Sequence, residues 1–308
     1  MRSVARQGFC CCGLCNGIKK RIKQQMSEPA TSRDGIDTAP QIARGERLVS
    51  FRSHGQQLAR LWDVVLVLVS RQFKGRYKNT AVGFAWSLIS PLLYLLVFYV
   101  VFKIAFAVTI PFYATFVFTG VLAWMWVQSA LNESVNSITS NAALVSQPGF
   151  PTATLPLVAV ATQLVNFLIA LPVLFLIAWI EGTAINALVL LMPLIIAAQF
   201  LFILSLAYFV AALNVSLRDI QYALPILLQL GYYVTPIFYD SGSVPADYHL
   251  FLAINPMYHI IDGYRAIVVE GSPPDLMPIL YVVAASSVLL FVTRAYFIKA
   301  SARFLEEL

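Results

Sequence analysis

The sequence predicts an all-α integral membrane protein with six transmembrane helices, an N-terminal amphipathic interfacial helix, short re-entrant helices before the last span and both termini cytoplasmic. Three observations predict it. Residues 1–80 hold 15 of the 21 Lys and Arg. The other 228 residues are mostly long apolar stretches separated by short polar gaps. Hydrophobic residues make up 59 % of the chain and charged residues 12 %, against about 25 % charged in soluble domains. A basic front beside the first apolar segment faces anionic lipid and holds the N-terminus inside. The net charge of +6 is therefore read as a membrane signal and not as a nucleic-acid footprint.

Residues 1–50 read as a flexible cytoplasmic extension and 51–308 as the membrane domain. The extension carries Cys10, Cys11, Cys12 and Cys15, and no Cys follows. Structural zinc takes four ligands, which these residues could supply only through a cramped local loop. The histidines, His54, His249 and His259, lie far from them in sequence. Disorder or thiol reactivity is the favoured reading, with lipidation left open. Residues 27–50, with Pro29 and Pro40 among polar residues, read as a linker. Met26 offers an alternative start, and no secretory signal is expected because no apolar core follows.

The elements follow in order. Residues 56–74 place Leu58, Leu61, Trp62, Val65, Leu66, Val69 and Phe73 at three- and four-residue spacing among Arg60, Arg71, Lys74, Arg76 and Lys78. This suits an interfacial helix on the cytoplasmic surface; a buried helix is the alternative. The first span, 82–107, is about 39 Å long at 1.5 Å per residue, enough to cross with tilt. Pro91 is positioned to kink it, and Lys103 near its outer end can snorkel toward headgroups. Further spans are expected at 112–135, 152–180, 186–213, 221–239 and 276–298. Arg218, Arg294, Lys299 and Arg303 fall on the inner side, whereas the outer loops hold Arg265 as their one basic residue. Both termini inside is the consistent orientation.

The 240–275 connection is too apolar for an ordinary outer loop. Asn255-Pro256 is a cap followed by a first-turn proline, separating a short helix near 246–254 from another near 257–269. Neither half can span. They are read as re-entrant helices shielded by protein, forming a lid or gate, or as two helices flat on the surface. Residues 136–151, with a short helix at 137–146 followed by Pro148, Gly149 and Pro151, read as a rigid element for a partner's cleft or as a plain loop.

No catalytic constellation is evident. The chain contains no Gly-Lys dipeptide, so it lacks the phosphate-cradling loop of a nucleotide-binding site, and ATP energy would have to come through another chain. Glu133 and Glu181 sit at span ends and not mid-membrane, where an ionisable residue most strongly marks a pathway. Asp240, Asp247 and Asp262 match no signature and are read as solvated or capping residues. Aromatic residues crowd spans one, two and five, a composition suited either to lipid or to a channel on which uncharged sugar faces stack.

This layout resembles the membrane subunit of an ABC-type polysaccharide or polyol-phosphate exporter, the family that serves O-antigen, capsule and wall teichoic acid. The resemblance covers about residues 51–308. It rests on Arg76-Tyr77-Lys78 leading into Gly83, Trp86 and Pro91, on the loop ending in Phe150-Pro151, and on Leu213-Asn214 with Arg218-Asp219. Thr235-Pro236-Ile237 and Asn255-Pro256 followed by Tyr264-Arg265 complete it.

The resemblance implies a transporter subunit, not an enzyme, in the bacterial inner membrane. Two copies would form the pore and two cytoplasmic ATPase subunits would power it. No cofactor is expected in this chain, with ATP and Mg on the ATPase partner. The substrate implied is an undecaprenyl-diphosphate-linked glycan moved from the inner to the outer leaflet. Helix 56–74 would approach the ATPase, and Ser140, Asn141, Leu144 and Gln147 would belong to the coupling helix entering its cleft. The family often carries a basic residue before the aromatic-Pro pair; here the positions are Val145, Ser146, Gln147 and Pro148. Trp86, Tyr94, Phe98, Tyr232 and Tyr233 are substrate-path candidates on spans one and five. Arg76 and Lys78 would hold the diphosphate at the entrance, with anionic-lipid contact an equal alternative. Asn255, Pro256, Tyr264 and Arg265 are gate candidates. The runner-up is an exporter of small hydrophobic compounds or drugs; a membrane glycosyltransferase or a purely structural subunit would need no ATPase.

Overall fold

The computed structural model describes residues 54–77, 83–183, 186–301 and 304. The expected extension, with its cysteines, linker and Met26, lies outside the described residues. Ser53–Leu308 forms one compact unit, and every regular element among its described residues is helical.

Helix α1, His54–Tyr77, turns Val65 and the half-buried Leu68 and Gln72 inward, while Trp62, Leu66, Val67, Arg71 and Lys74 stay exposed. That is the one-sided burial expected of the predicted amphipathic helix. Helix α2, Gly83–Phe98, buries only Pro91 and Leu95 among the described side chains of this helix and half-buries Leu88, Ile89, Ser90 and Phe98. It runs on as a π-helical turn, Tyr99–Ala105. Lys103 lies in this turn. Its Nζ donates to the carbonyls of Val108 and Ile110 at 3.4 and 3.5 Å, closing the loop that follows.

Helix α3, Tyr113–Val135, is the centre of the bundle, packed against α2 and every later long helix except the last. After it, a 3₁₀ turn Thr139–Asn141 and the short α4, Ala142–Val145, form the connection. Helix α5, Thr154–Glu181, ends on Gly182, whose φ of 82° lets Thr183 N–H reach back to Ala178 O at 3.0 Å. A 3₁₀ turn Ala187–Leu191 leads into α6, Met192–Ser216. Helix α7 is Ile220–Val234. Beyond it lie α8, His249–Ile254, then α9, Pro256–Arg265, then a second π-helical turn, Ala266–Glu270. The last helix, α10, Leu276–Ser301, packs along α6.

Five helical segments among the described residues are long and apolar enough to cross a membrane: Leu88–Ala105, Tyr113–Val135, Thr154–Glu181, Ala187–Ser216 and Leu276–Ser301. The remaining expected span, 221–239, is helical for 15 residues only. At 1.5 Å per residue that is about 22 Å, short of a hydrocarbon core of about 30 Å. The cause is local. Pro236 forces the preceding residue out of the helical region, and Thr235 sits at φ −82°, ψ 133°.

Contacts between helix ends fix the chain's course. Gln72 on α1 meets Glu133 near the end of α3, and Asn214 near the end of α6 donates to Val135 O. Tyr208 bonds to Ala153 O and packs on Phe297 of α10. These mark one end, called proximal here. Glu181 meets the start of α3, and Gly263 abuts Ile195 and Ile279 at the starts of α6 and α10, marking the distal end. The described chain thus begins and ends proximally. Residues 235–275 leave and rejoin the bundle distally, with no helix long enough to cross it.

Candidate functional site

Three places gather the residues singled out in the sequence. The first is an aromatic seam between α2 and α7. Phe98 stacks on Phe238 with centroids 5.0 Å apart and planes 7° from parallel. Tyr232 lies against Phe98 at 6.0 Å, Trp124 at 6.1 Å and Tyr233 at 5.6 Å. Tyr232 is buried, whereas Tyr94 and Tyr233 are 46 % and 55 % exposed. Both helices also expose aliphatic residues, Leu92, Leu93 and Leu96 on α2 and Ile226, Leu227 and Leu230 on α7. The Tyr232 hydroxyl and Trp124 Nε1 are buried without a hydrogen-bond partner among the described residues. Arg76 and Trp86 fall on α1 and α2, but their side chains, and Lys78 entirely, lie outside the described residues.

The second is the distal hairpin. Asn255 caps α9, its Oδ1 accepting from Met257 N–H at 3.0 Å, while its Nδ2 donates to Thr235 Oγ1 at 2.9 Å. Pro256 occupies the first turn, where its missing N–H is no loss. Tyr264 donates to Gln199 Oε1 at 2.9 Å, and Gln199 Nε2 donates to Ala123 O at 2.8 Å. A polar chain thus runs from α9 through α6 into α3. Arg265 is buried. Its Nη1 donates to Pro236 O at 2.8 Å and its Nη2 to Ile237 O at 2.7 Å, with the guanidinium 3.5 Å from the centre of the Phe116 ring. Gly120 makes this approach possible: a Cβ there would stand 3.1 Å from Ile237 Cγ2 and 3.3 Å from Arg265 Nη2. Gate candidates Asn255 and Arg265 therefore converge on the same three residues, 235–237, that end α7.

The third is a proximal cleft of about 270 Å³ between α1, α3, α5 and the 136–145 connection. Gln72 Nε2 and Gln163 Nε2 each donate to Glu133, Thr162 Oγ1 donates to Gln72 Oε1 at 3.2 Å, and Asn166 Nδ2 donates to Gln163 Oε1 at 2.8 Å. Ser140, Asn141 and Leu144 line the same cleft. Asn141 Nδ2 donates to Ser137 O at 2.9 Å. Gln147 is exposed, its carbonyl accepting from Phe150 N–H at 3.2 Å. The coupling candidates thus sit beside the carboxylate that joins α1 to the bundle. At the distal end Glu181 accepts from the N–H groups of Ala114 and Thr115 at 3.1 and 2.7 Å. A carboxylate there complements the start of α3, which has no capping side chain of its own.

Sequence reasoning set aside Glu133 and Glu181 as span-end residues, and it did not single out Gln72, Gln163 or Gln199. Gln163 and Gln199, amides within apolar stretches, were a usable signal, because a polar group in a span needs a partner. Among the described residues no group of three or more His, Cys, Asp or Glu side chains is placed to hold a metal ion.

Comparison with known proteins adds to this geometry. A family model described as ABC-2 type transporter matches residues 63–269. An O-antigen export system permease protein RfbA from Myxococcus xanthus is 31 % identical over 255 residues, covering 82 % of this chain and 98 % of the relative. A protein of the same description from Klebsiella pneumoniae is 30 % identical over 251 residues, 81 % of this chain and 96 % of the relative. The polysialic acid transport protein KpsM of Escherichia coli is 26 % identical over 241 residues, 76 % of this chain and 92 % of the relative.

Proposed function

The chain belongs to the ABC-2 type transporter family, and on that footing we propose that it is the membrane subunit of an ATP-driven polysaccharide exporter. Its substrate is an undecaprenyl-diphosphate-linked glycan, moved from the cytoplasmic to the outer leaflet of the bacterial inner membrane. The observation that carries this reading is near full-length similarity to O-antigen export permeases, joined to an aromatic seam left open on α2 and α7.

The mechanism follows from placing two copies together. The exposed faces of α2 and α7 pair across the complex, so that Trp86, Tyr94, Phe98, Tyr232 and Tyr233 border the path. Aromatic rings suit sugar faces without fixing a charge. Two ATPase subunits, which bind ATP and Mg, dock at the proximal, cytoplasmic end. The element holding Ser140, Asn141, Leu144 and Gln147 enters their cleft, and its movement reaches α3 through the shared surface at Glu133. Arg76 and Lys78 hold the diphosphate at the entrance, Lys and Arg being suited to phosphate. At the distal end Asn255, Pro256, Tyr264 and Arg265 hold a short hairpin over the exit.

Depleting the protein and following undecaprenyl-diphosphate glycans by mass spectrometry with a leaflet-accessibility label tests this. Inner-leaflet accumulation is expected. Unchanged glycans, under conditions where the polymer is made, would favour an exporter of small hydrophobic compounds.

A further inference from the structure

We propose that the distal cavity beside the hairpin is a saccharide subsite, taking one uncharged sugar ring of the exported chain as it leaves the membrane. The inference rests on the polysaccharide reading above and adds where the chain is held.

The cavity measures about 770 Å³, within the roughly 300–1,000 Å³ of small-molecule sites. Phe102, Phe116, Phe238 and Tyr239 wall it, and Asp240 and Glu270 stand at its rim. Rings that meet C–H faces and carboxylates that accept from hydroxyls are together the chemistry of sugar binding. The seam leads directly into it, because Phe238 stacks on Phe98 and lies 5.1 Å from Phe102.

Charge selects which part of the substrate fits. Neither of two basic residues close by, Arg265 and Lys103, is among the lining residues. Arg265 gives its guanidinium to the Pro236 and Ile237 carbonyls, and Lys103 turns to the carbonyls of Val108 and Ile110. Asp240 and Glu270, the charged residues of the lining, offer acceptors to sugar hydroxyls and set carboxylates against a diphosphate.

The backbone around the cavity is irregular in a concentrated way. Both π-helical turns of the described residues border it, one giving Phe102 and the other Val269 and Glu270. π-Helical turns recur at functional sites. The two non-glycine residues at positive φ among the described residues, Ala107 and Phe112, both at 49°, bracket the loop that forms one wall. Such backbone persists where surrounding structure holds it.

The test uses the full chain reconstituted in nanodiscs with its ATPase partner, its four N-terminal cysteines replaced by serine and Thr109→Cys introduced in the cavity wall. Alkylation of that thiol by a maleimide is followed by peptide mass spectrometry. Millimolar maltotriose or chitotriose is expected to slow it several-fold, inorganic pyrophosphate is not, and Asp240→Asn with Glu270→Gln is expected to abolish the protection. No protection by either trisaccharide, equal protection by pyrophosphate, or full protection in the carboxylate double variant would overturn the subsite. If export of surface glycan stops on depletion of the chain while protection is absent, the subsite alone falls. If surface glycan is indifferent to depletion, the exporter reading falls first.

Discussion

Helices α2 and α3 follow one another in the chain and lie side by side, yet the more apolar of the two is left outside. Mean hydropathy is 2.2 over Leu88–Ala105 and 1.4 over the most apolar stretch of Tyr113–Val135, while the buried shares are 6 % and 78 %. In water the order would be reversed. In lipid, hydrocarbon surface gains little by leaving the bilayer, and association is carried by close packing and hydrogen bonds. Helix α3 has what that requires. Gly120 admits Ile237 and Arg265, the Ala123 carbonyl accepts from Gln199, and Glu133 collects amides from two neighbours. Helix α2 presents leucines that lipid or a second apolar face can cover equally well. Position in this bundle is therefore set by polar and small residues, and apolarity by itself marks the flank.

The strongest way to break that contrast is at the polar contacts of α3 and its neighbours. Arg265→Met keeps bulk but leaves the Pro236 and Ile237 carbonyls without their donor. Charge-assisted bonds contribute about 1.5–3 kcal/mol each, so a loss of roughly 3 kcal/mol is expected. It is to be read as a lowered unfolding midpoint in detergent and faster proteolysis within 235–275. Arg265→Lys should fall between, because one ammonium cannot reproduce the two-pronged geometry.

A smaller effect is expected at the proximal end, where Gln72 and Glu133 are half-buried and Arg265 is buried. Gln72→Ala and Glu133→Ala should each destabilise the fold. The double variant should lose less than the sum, with a coupling energy of about 1 kcal/mol, inside the range for residues of one network. Additive losses would mean that α1 is held by its apolar face alone. If the link also carries motion, Glu133→Gln should lower transport per ATP hydrolysed more than it lowers stability.

The same contrast explains what could be read from the chain. Spans one to four, the last span and the amphipathic helix were legible because each is a long run of one character, and the Asn255-Pro256 break was legible because a cap and a first-turn proline act locally. The short α7 was half-legible. Thr235-Pro236 stood in plain view within the expected 221–239 span, yet its helix-ending effect was outweighed there by hydropathy. What could not be read is pairing at a distance. Arg265 bonds to residues 28 and 29 positions away and lies on a ring 149 positions away, and Glu133 meets an amide 61 positions away. Sequence spacing carries no trace of such contacts. The partners of Gln72, Gln199 and Glu181 appear only when the helices are assembled.

On the flank the expected effects on folding are slight. Leu93→Ala and Leu96→Ala, both more than half exposed, should change the stability of the single chain by less than about 0.5 kcal/mol, as surface changes away from special features do. Cross-linking between two copies should fall at the same time if this face is where they meet. A stability loss comparable to that of Arg265→Met would show that α2 is a core helix of the single chain and would end the contrast.

The finest discrimination lies at Tyr232, where core and flank touch. Its ring is packed among Trp124, Phe98 and Phe238, so Tyr232→Phe preserves the packing and removes only the hydroxyl. A buried hydroxyl without a partner carries a desolvation cost that its removal relieves. In the isolated chain the substitution should therefore be neutral or stabilising by a few tenths of a kcal/mol, a sign opposite to that at Arg265. In the assembled exporter the sign should invert: if a sugar hydroxyl or a second copy supplies the missing partner, export slows while the fold does not weaken. A destabilised chain together with unchanged export would mean that Tyr232 is an ordinary core residue, and the line between core and flank would have to be drawn one helix face further out.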